Sequence, residues 1–142
     1  MISIEAQQQL LLDVAKQLEH PLTVFAIGGT AMMFHGLKDT TLDIDLVFRN
    51  TEDRAIFKNT ILKLGYTSMD AFTVYGNKRD RPEMFKRETE RFDLFVNDVI
   101  HFTFSKSMQE RAVVTHEFER KLTVKIADPH DIILMKCATD RV

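Results

Sequence analysis

Residues 25–48, FAIGGTAMMFHGLKDTTLDIDLVF, place two apolar strands on either side of a glycine pair and a short helix. The run LTVFAI at 22–27 is β-branched and aromatic, the composition of a short buried strand, and it leads directly into Gly28 and Gly29. A helix opens at these glycines, covers 30–34 and stops near Gly36, where a residue without Cβ tolerates the positive φ of a helix end. The following run, LDIDLVF at 42–48, alternates apolar and acidic residues before turning wholly apolar. That is the pattern of a strand with one buried face.

Outward from this unit, Ile4, Leu11, Val14 and Leu18 recur at helical spacing behind a Ser3 cap, and His20–Pro21 ends that helix. Thr51 reads as the cap of a third helix. Glu52 and Asp53 occupy its first turn, and Phe57, Ile61 and Leu64 form its apolar stripe up to Gly65. Between 66 and 91 we expect a strand at 72–75, a turn at Gly76–Asn77 and a polar connector around Pro82. RFDLFV at 91–96 is an apolar strand interrupted by Asp93, and 99–104 continues or pairs with it. A helix at 107–113, a strand at 121–126 and a helix opening at Asp128–Pro129 follow. The order α-β-α-β-α-β-β-α-β-α, without repeats or a dividing linker, indicates an α/β (α+β) protein. We expect a mixed sheet with helices mainly on one face, in a single domain spanning 1–142.

The chain has 142 residues, 44% apolar and 28% charged, which suits one globular domain rather than a fibre or a disordered tail. Cys137 is the single cysteine, so no intrachain disulfide forms, and packing on a helix face is its expected part. The first twenty residues show no charged leader with an apolar core, so a cytoplasmic, reduced protein is expected. No apolar run reaches the ~20 residues of a membrane span, which argues against a membrane partner. The net charge of −2 announces no global field for nucleic acid. Residues 78–91 hold six basic residues against four acidic ones, the mixed pattern of a solvated connector. The five histidines include no i, i+4 pair, so zinc is not indicated, and there is no nucleophile elbow.

The chemistry concentrates in the acids. In a strand, residues i and i+2 project to the same side, so Asp43 and Asp45 share one face, roughly 6–7 Å apart, while Leu42, Ile44 and Leu46 take the other. At an effective dielectric near 20 their repulsion is on the order of 2–3 kcal/mol, which a cation between them would offset. Hard oxygen donors without an accompanying Cys or His cluster select Mg²⁺ or Mn²⁺. Asp93 lies among apolar neighbours, where a lone carboxylate needs a partner. Two readings stand side by side on spacing alone. Either a third carboxylate joins Asp43 and Asp45 around a metal, or the DxD faces solvent and Asp93 pairs with Arg91 or Arg87. The glycine pair likewise reads either as a tight turn or as a place where phosphate approaches the backbone at a helix start.

GGTA, with thirteen residues between Gly29 and the DID of 43–45, then a later strand bearing Asp93, resembles the DNA polymerase β-like nucleotidyltransferase superfamily. HGLKDTTLDIDLVF, RFDLFV and the terminal DPHDIILMKCATDR are similar to small prokaryotic nucleotidyltransferase-fold proteins related to the abortive-infection toxins of type IV toxin–antitoxin systems. The resemblance covers roughly residues 25–141. It implies the nucleotidyltransferase fold and Mg²⁺-dependent transfer of a nucleoside monophosphate from a nucleoside triphosphate to a hydroxyl on RNA or protein, with a cognate toxin or antitoxin as a partner. By position, it implies that Asp43, Asp45 and Asp93 bind metal and act in catalysis, and that Gly28, Gly29, Thr30 and Lys136 contact the nucleotide. Arg141 is a weaker candidate for the part of Lys136. The superfamily's commonest form has Gly-Ser where this chain has Gly28–Gly29, and relatives continue into further C-terminal helices. Both departures motivate the alternative of a catalytically silent nucleotide- or partner-binding module.

Overall fold

The computed structural model describes residues 1–139, so Arg141 lies outside the described residues. In chain order the elements are β1 (Ile2–Ser3), α1 (Ile4–Gln17), β2 (Leu22–Ala26), α2 (Gly28–Phe34), β3 (Thr40–Thr41), β4 (Ile44–Phe48) and α3 (Thr51–Lys63). They continue through β5 (Thr67–Met69), α4 (Phe72–Tyr75), β6 (Glu83–Arg87), β7 (Glu90–Val96), β8 (Asp98–Val99), β9 (Phe102–Thr103), α5 (Lys106–Arg111), β10 (Val114–Phe118), β11 (Leu122–Ile126) and α6 (Pro129–Thr139). The main sheet runs β10-β11-β2-β4-β7-β6-β5, with β8 and β9 branching from β7. It is mixed: β11 is parallel to β2 and β4 to β7, while β2/β4, β6/β7, β5/β6 and β10/β11 are antiparallel.

Alternation along the central strands divides the sheet into two unlike faces. Ile44, Leu46 and Phe48 point to one side with their in-register partners Phe92 and Leu94, and all five are fully buried. Phe57 of α3 packs there, its ring 5.4 Å from both Phe48 and Phe92. α1 lies against α3, adding Leu10, Leu11 and Val14 to the same core. On the other side, Phe25 and Val47 are paired across β2 and β4, and Phe104 covers them with its ring 5.3 Å from Phe25. That side also carries the acids.

Caps and turns account for several boundaries. Ser3 caps α1, its Oγ accepting from the Ala6 N–H at 3.1 Å. α3 is capped by Asn50, not Thr51: extended Asn50 accepts the Asp53 N–H on Oδ1 at 2.7 Å, one residue ahead of the expected position. The expected strand at 72–75 is instead the helical turn α4. Asp70 decides this, because its carboxylate accepts the Phe72 N–H at 2.9 Å and its carbonyl accepts the Thr73 hydroxyl at 2.7 Å. The expected connector around Pro82 leads straight into β6, whose buried pair Met84–Phe85 is flanked by polar residues that mask the strand. β10 was not expected either. It is an edge strand with no buried face, so its sequence carries no alternation to read.

If α3 is locked by this aromatic contact, Phe57→Ala will lower the unfolding free energy by about 3–5 kcal/mol. Asn50→Ala, which removes only a cap, will lower it by about 1 kcal/mol. Urea denaturation followed by circular dichroism measures both, and similar losses in the two variants would contradict the packing described.

Candidate active site

The parallel pairing of β4 and β7 sets Asp45 against Asp93, with Ile44 against Phe92 and Leu46 against Leu94. Asp45 and Asp93 therefore share the face away from α3, and Asp43, two residues before Asp45, joins them. One carboxylate oxygen from each lies within 4.8 Å of the other two. Asp93 is fully buried, while Asp43 and Asp45 are half-buried. The three acids, separated by up to 50 positions in the chain, thus meet in one cluster.

The glycine pair borders this cluster. Gly28 has φ +56°, and a Cβ there would come 2.8 Å from Asp45 Oδ2. A Cβ on Gly29 would come 2.6 Å from Thr41 Oγ1. Only bare backbone lets α2 begin this close to the acids. Thr30 is fully buried, and its Oγ1 accepts the Asp45 N–H at 2.9 Å. Its hydroxyl is therefore turned toward the acidic strand, and its backbone belongs to the first turn of α2. Thr41 Oγ1 donates to the Asp43 carbonyl at 3.0 Å, and the buried Gln7 amide donates to the Thr30 carbonyl at 3.4 Å. These bonds fix the segment that presents the carboxylates.

Two further residues reach the cluster, and spacing alone did not mark either as functional. Arg91 Nε donates to Asp93 Oδ1 at 2.9 Å and Nη2 to Asp93 Oδ2 at 3.1 Å, while Nη2 also donates to Asp43 Oδ2. Of the two arginines weighed as partners for Asp93, Arg87 is engaged elsewhere, with Glu90 at 2.9 Å and the Leu64 carbonyl at 2.8 Å. Tyr75, at the end of α4, donates its hydroxyl to Asp93 Oδ2 at 2.8 Å. The only sequence signal for Arg91 is its i−2 position to Asp93, which puts both on one face of β7. Tyr75 carried no signal, because its segment reads as a strand.

Burial, and then the neighbouring Asp43 charge, push the Asp93 carboxyl up to about 6, against the opposing pull of Arg91 and Tyr75. Burial and the Asp93 charge push the Tyr75 hydroxyl upward, so it remains a donor at neutral pH. The donor set consists of oxygens alone, partly enclosed and lacking sulfur or imidazole, which fits Mg²⁺ or Mn²⁺ rather than zinc. Lys136 is an exposed residue near the end of α6, and no hydrogen bond or ion pair joins it to the acids among the described residues. α6 itself packs on α2, and Ile132 and Met135 are buried while Ile133 and Leu134 are exposed.

No family model matches the sequence, and no curated protein matches it. Solved structures do match. The chain is similar to a crystal structure of ANT(2'')-Ia in complex with adenylyl-2''-tobramycin, with 17% identity over 94% of this chain and 78% of that one and a TM-score of 0.57. It is also similar to a solution structure of the antibiotic-resistance factor ANT(2'')-Ia, with 16% identity over 95% and 75% of the two chains and a TM-score of 0.54. These are nucleotidyltransferases, and the mixed α+β architecture found here is the nucleotidyltransferase fold.

The raised Asp93 carboxyl has a definite sign in stability. Between 3.8 and about 6 the folded chain holds this proton more tightly than the unfolded chain, so stability falls as pH rises through that window and levels off above it. In metal-free protein, the wild type should lose stability relative to Asp93→Asn as pH is raised from about 4 to about 6.5. Parallel urea-unfolding curves for the two proteins across that range would show that Asp93 does not titrate as described.

Proposed function

We propose that this chain is a Mg²⁺-dependent nucleotidyltransferase that moves a nucleoside monophosphate from a nucleoside triphosphate to a hydroxyl acceptor on RNA or protein. The observation that carries this reading is the convergence of Asp43, Asp45 and Asp93 beside a bare-backbone helix start. The three carboxylates would hold Mg²⁺ or Mn²⁺, which when bound supplies charge stabilisation to phosphate oxygens. The amides of Gly28, Gly29 and Thr30, in the first turn of α2, lack intrahelical partners by position and are the natural donors to the triphosphate. Asp93, ionised above about pH 6, takes the proton of the acceptor hydroxyl as that oxygen attacks the α-phosphorus in line and pyrophosphate departs. Lys136 is assigned to the departing phosphates on the motif resemblance alone. The same resemblance extends the proposal to a cognate toxin or antitoxin partner.

For the acceptor, the face that bears the acids offers one guide. Arg49 lies four residues beyond Asp45 on the same side of the chain, about 13 Å away at 3.3 Å per residue. It lines an open cleft of about 470 Å³ together with Lys106, Lys125 and Glu110, and none of the three cations has a carboxylate partner within ion-pair distance among the described residues. Three cations against one carboxylate there favour a polyanionic acceptor such as RNA over a polycation of the tobramycin kind.

Incubation with α-labelled nucleoside triphosphates, Mg²⁺ and total RNA or cell lysate tests the reading. Label should move to acceptor with the wild type and fall by at least about a hundredfold with Asp43→Asn or Asp93→Asn, since each removes a group required at the reacting centre. Equal labelling by all three proteins would remove these residues from the mechanism. Triphosphate binding without transfer would instead support the silent binding module.

A further inference from the structure

Resting on the metal-site reading above, we propose that Arg91 is a built-in counter-cation of the acidic cluster, whose guanidinium competes with the divalent ion for Asp43 and Asp93. The register explains its place. Ile44 pairs with Phe92, so Asp43 lies alongside Arg91 across β4 and β7, and Asp93 is two residues further along the same face. From that position one planar group reaches both acids. It takes Asp93 through two N–H groups at 2.9 and 3.1 Å, and it takes Asp43 through Nη2.

These contacts use the atoms a metal would need. Asp93 Oδ1 accepts from Nε, and Asp93 Oδ2 accepts from both Nη2 and the Tyr75 hydroxyl. Three of the roughly four acceptor sites of that carboxylate are thereby filled. Asp43 Oδ2 is engaged as well. An ion drawn between Asp43 and Asp93 would meet a like charge held in a site where Arg91 is only 24% exposed and Asp93 not at all. Binding therefore requires the guanidinium to release Asp43, whereas Tyr75 can keep its single bond to Asp93. Arg91 is thus a positioning residue: it holds the carboxylates together before the ion arrives and sets how tightly the ion binds. Arg54 and Lys58 pair with Glu83 and Arg87 with Glu90, whereas the Arg91 guanidinium bonds both Asp43 and Asp93.

The test uses Mn²⁺ as the probe, with affinity measured at pH 8 by electron paramagnetic resonance and calorimetry and the metal-free melting temperature measured in parallel. Arg91→Gln, uncharged, polar and too short to span both acids, should bind Mn²⁺ at least about tenfold more tightly than the wild type, within the usual 5- to 150-fold range of coupled sites. It should also melt lower without metal and gain more on adding it. Arg91→Lys, which restores the charge without the fork, should fall between the two in affinity. Arg91→Ala gives the same comparison if the glutamine variant folds poorly. Unchanged or weaker Mn²⁺ affinity in the neutral variants overturns the proposal while leaving the transfer assay to judge the function. Absence of Mn²⁺ binding in every variant overturns the proposal together with the metal site.

Discussion

The parallel register of β4 against β7 is the constraint on which the rest depends. The side-chain period of a strand is two, so a slip of one residue would send Asp93 into the α3 face and bring Phe92 out to the acids. What prevents the slip is the core. Ile44, Leu46, Phe92 and Leu94 are fully buried on the opposite face, and Phe57 seals them from above. The hydrophobic face thus sets the geometry of the polar one, and neither strand could be shifted to suit the site without losing that burial.

Against this stabilising face stands a destabilising one. Carboxylates within 4.8 Å of each other repel by on the order of 3 kcal/mol per ionised pair at an effective dielectric of 20. Full burial of Asp93 adds a desolvation term, and the result is a carboxyl pushed up to about 6 even with an arginine in contact. A chain assembled only for stability would place Thr or Ser at these positions. The three acids are kept here even so, with Gly28 and Gly29 too close to their neighbours to tolerate a Cβ, an arrangement that the proposed metal site accounts for.

The sequence disclosed this arrangement unevenly, and for physical reasons. The central strands and the DxD face were legible because burial on one side imposes a strict alternation at LDIDLVF. The nearness of Asp93 was suggested by an acid stranded among apolar residues. Helix α4 and Tyr75 were not legible, because the structure of that segment is set by Asp70 capping over two to three residues and not by any periodicity. Strands β5 and β10 lie at the sheet edges, where no second face is buried and composition leaves no trace. Arg91 was visible as one of two partners for Asp93, but its reach to Asp43 depends on pairing between segments 48 positions apart, which a linear reading does not contain.

The structural neighbours bear on the frame and the local chemistry bears on the function, and the two arguments are independent. At 16–17% identity, the match to ANT(2'')-Ia establishes how the chain is folded. One fold hosts many chemistries, so function must be argued from the site. Here the site supplies its own argument. The acids sit at the start of β4, which is antiparallel to β2, so they fall at the same end of the sheet as the beginning of α2. An anionic triphosphate would approach a cluster of three carboxylates only with cations between them. Arg91 already places one such cation against Asp43 and Asp93.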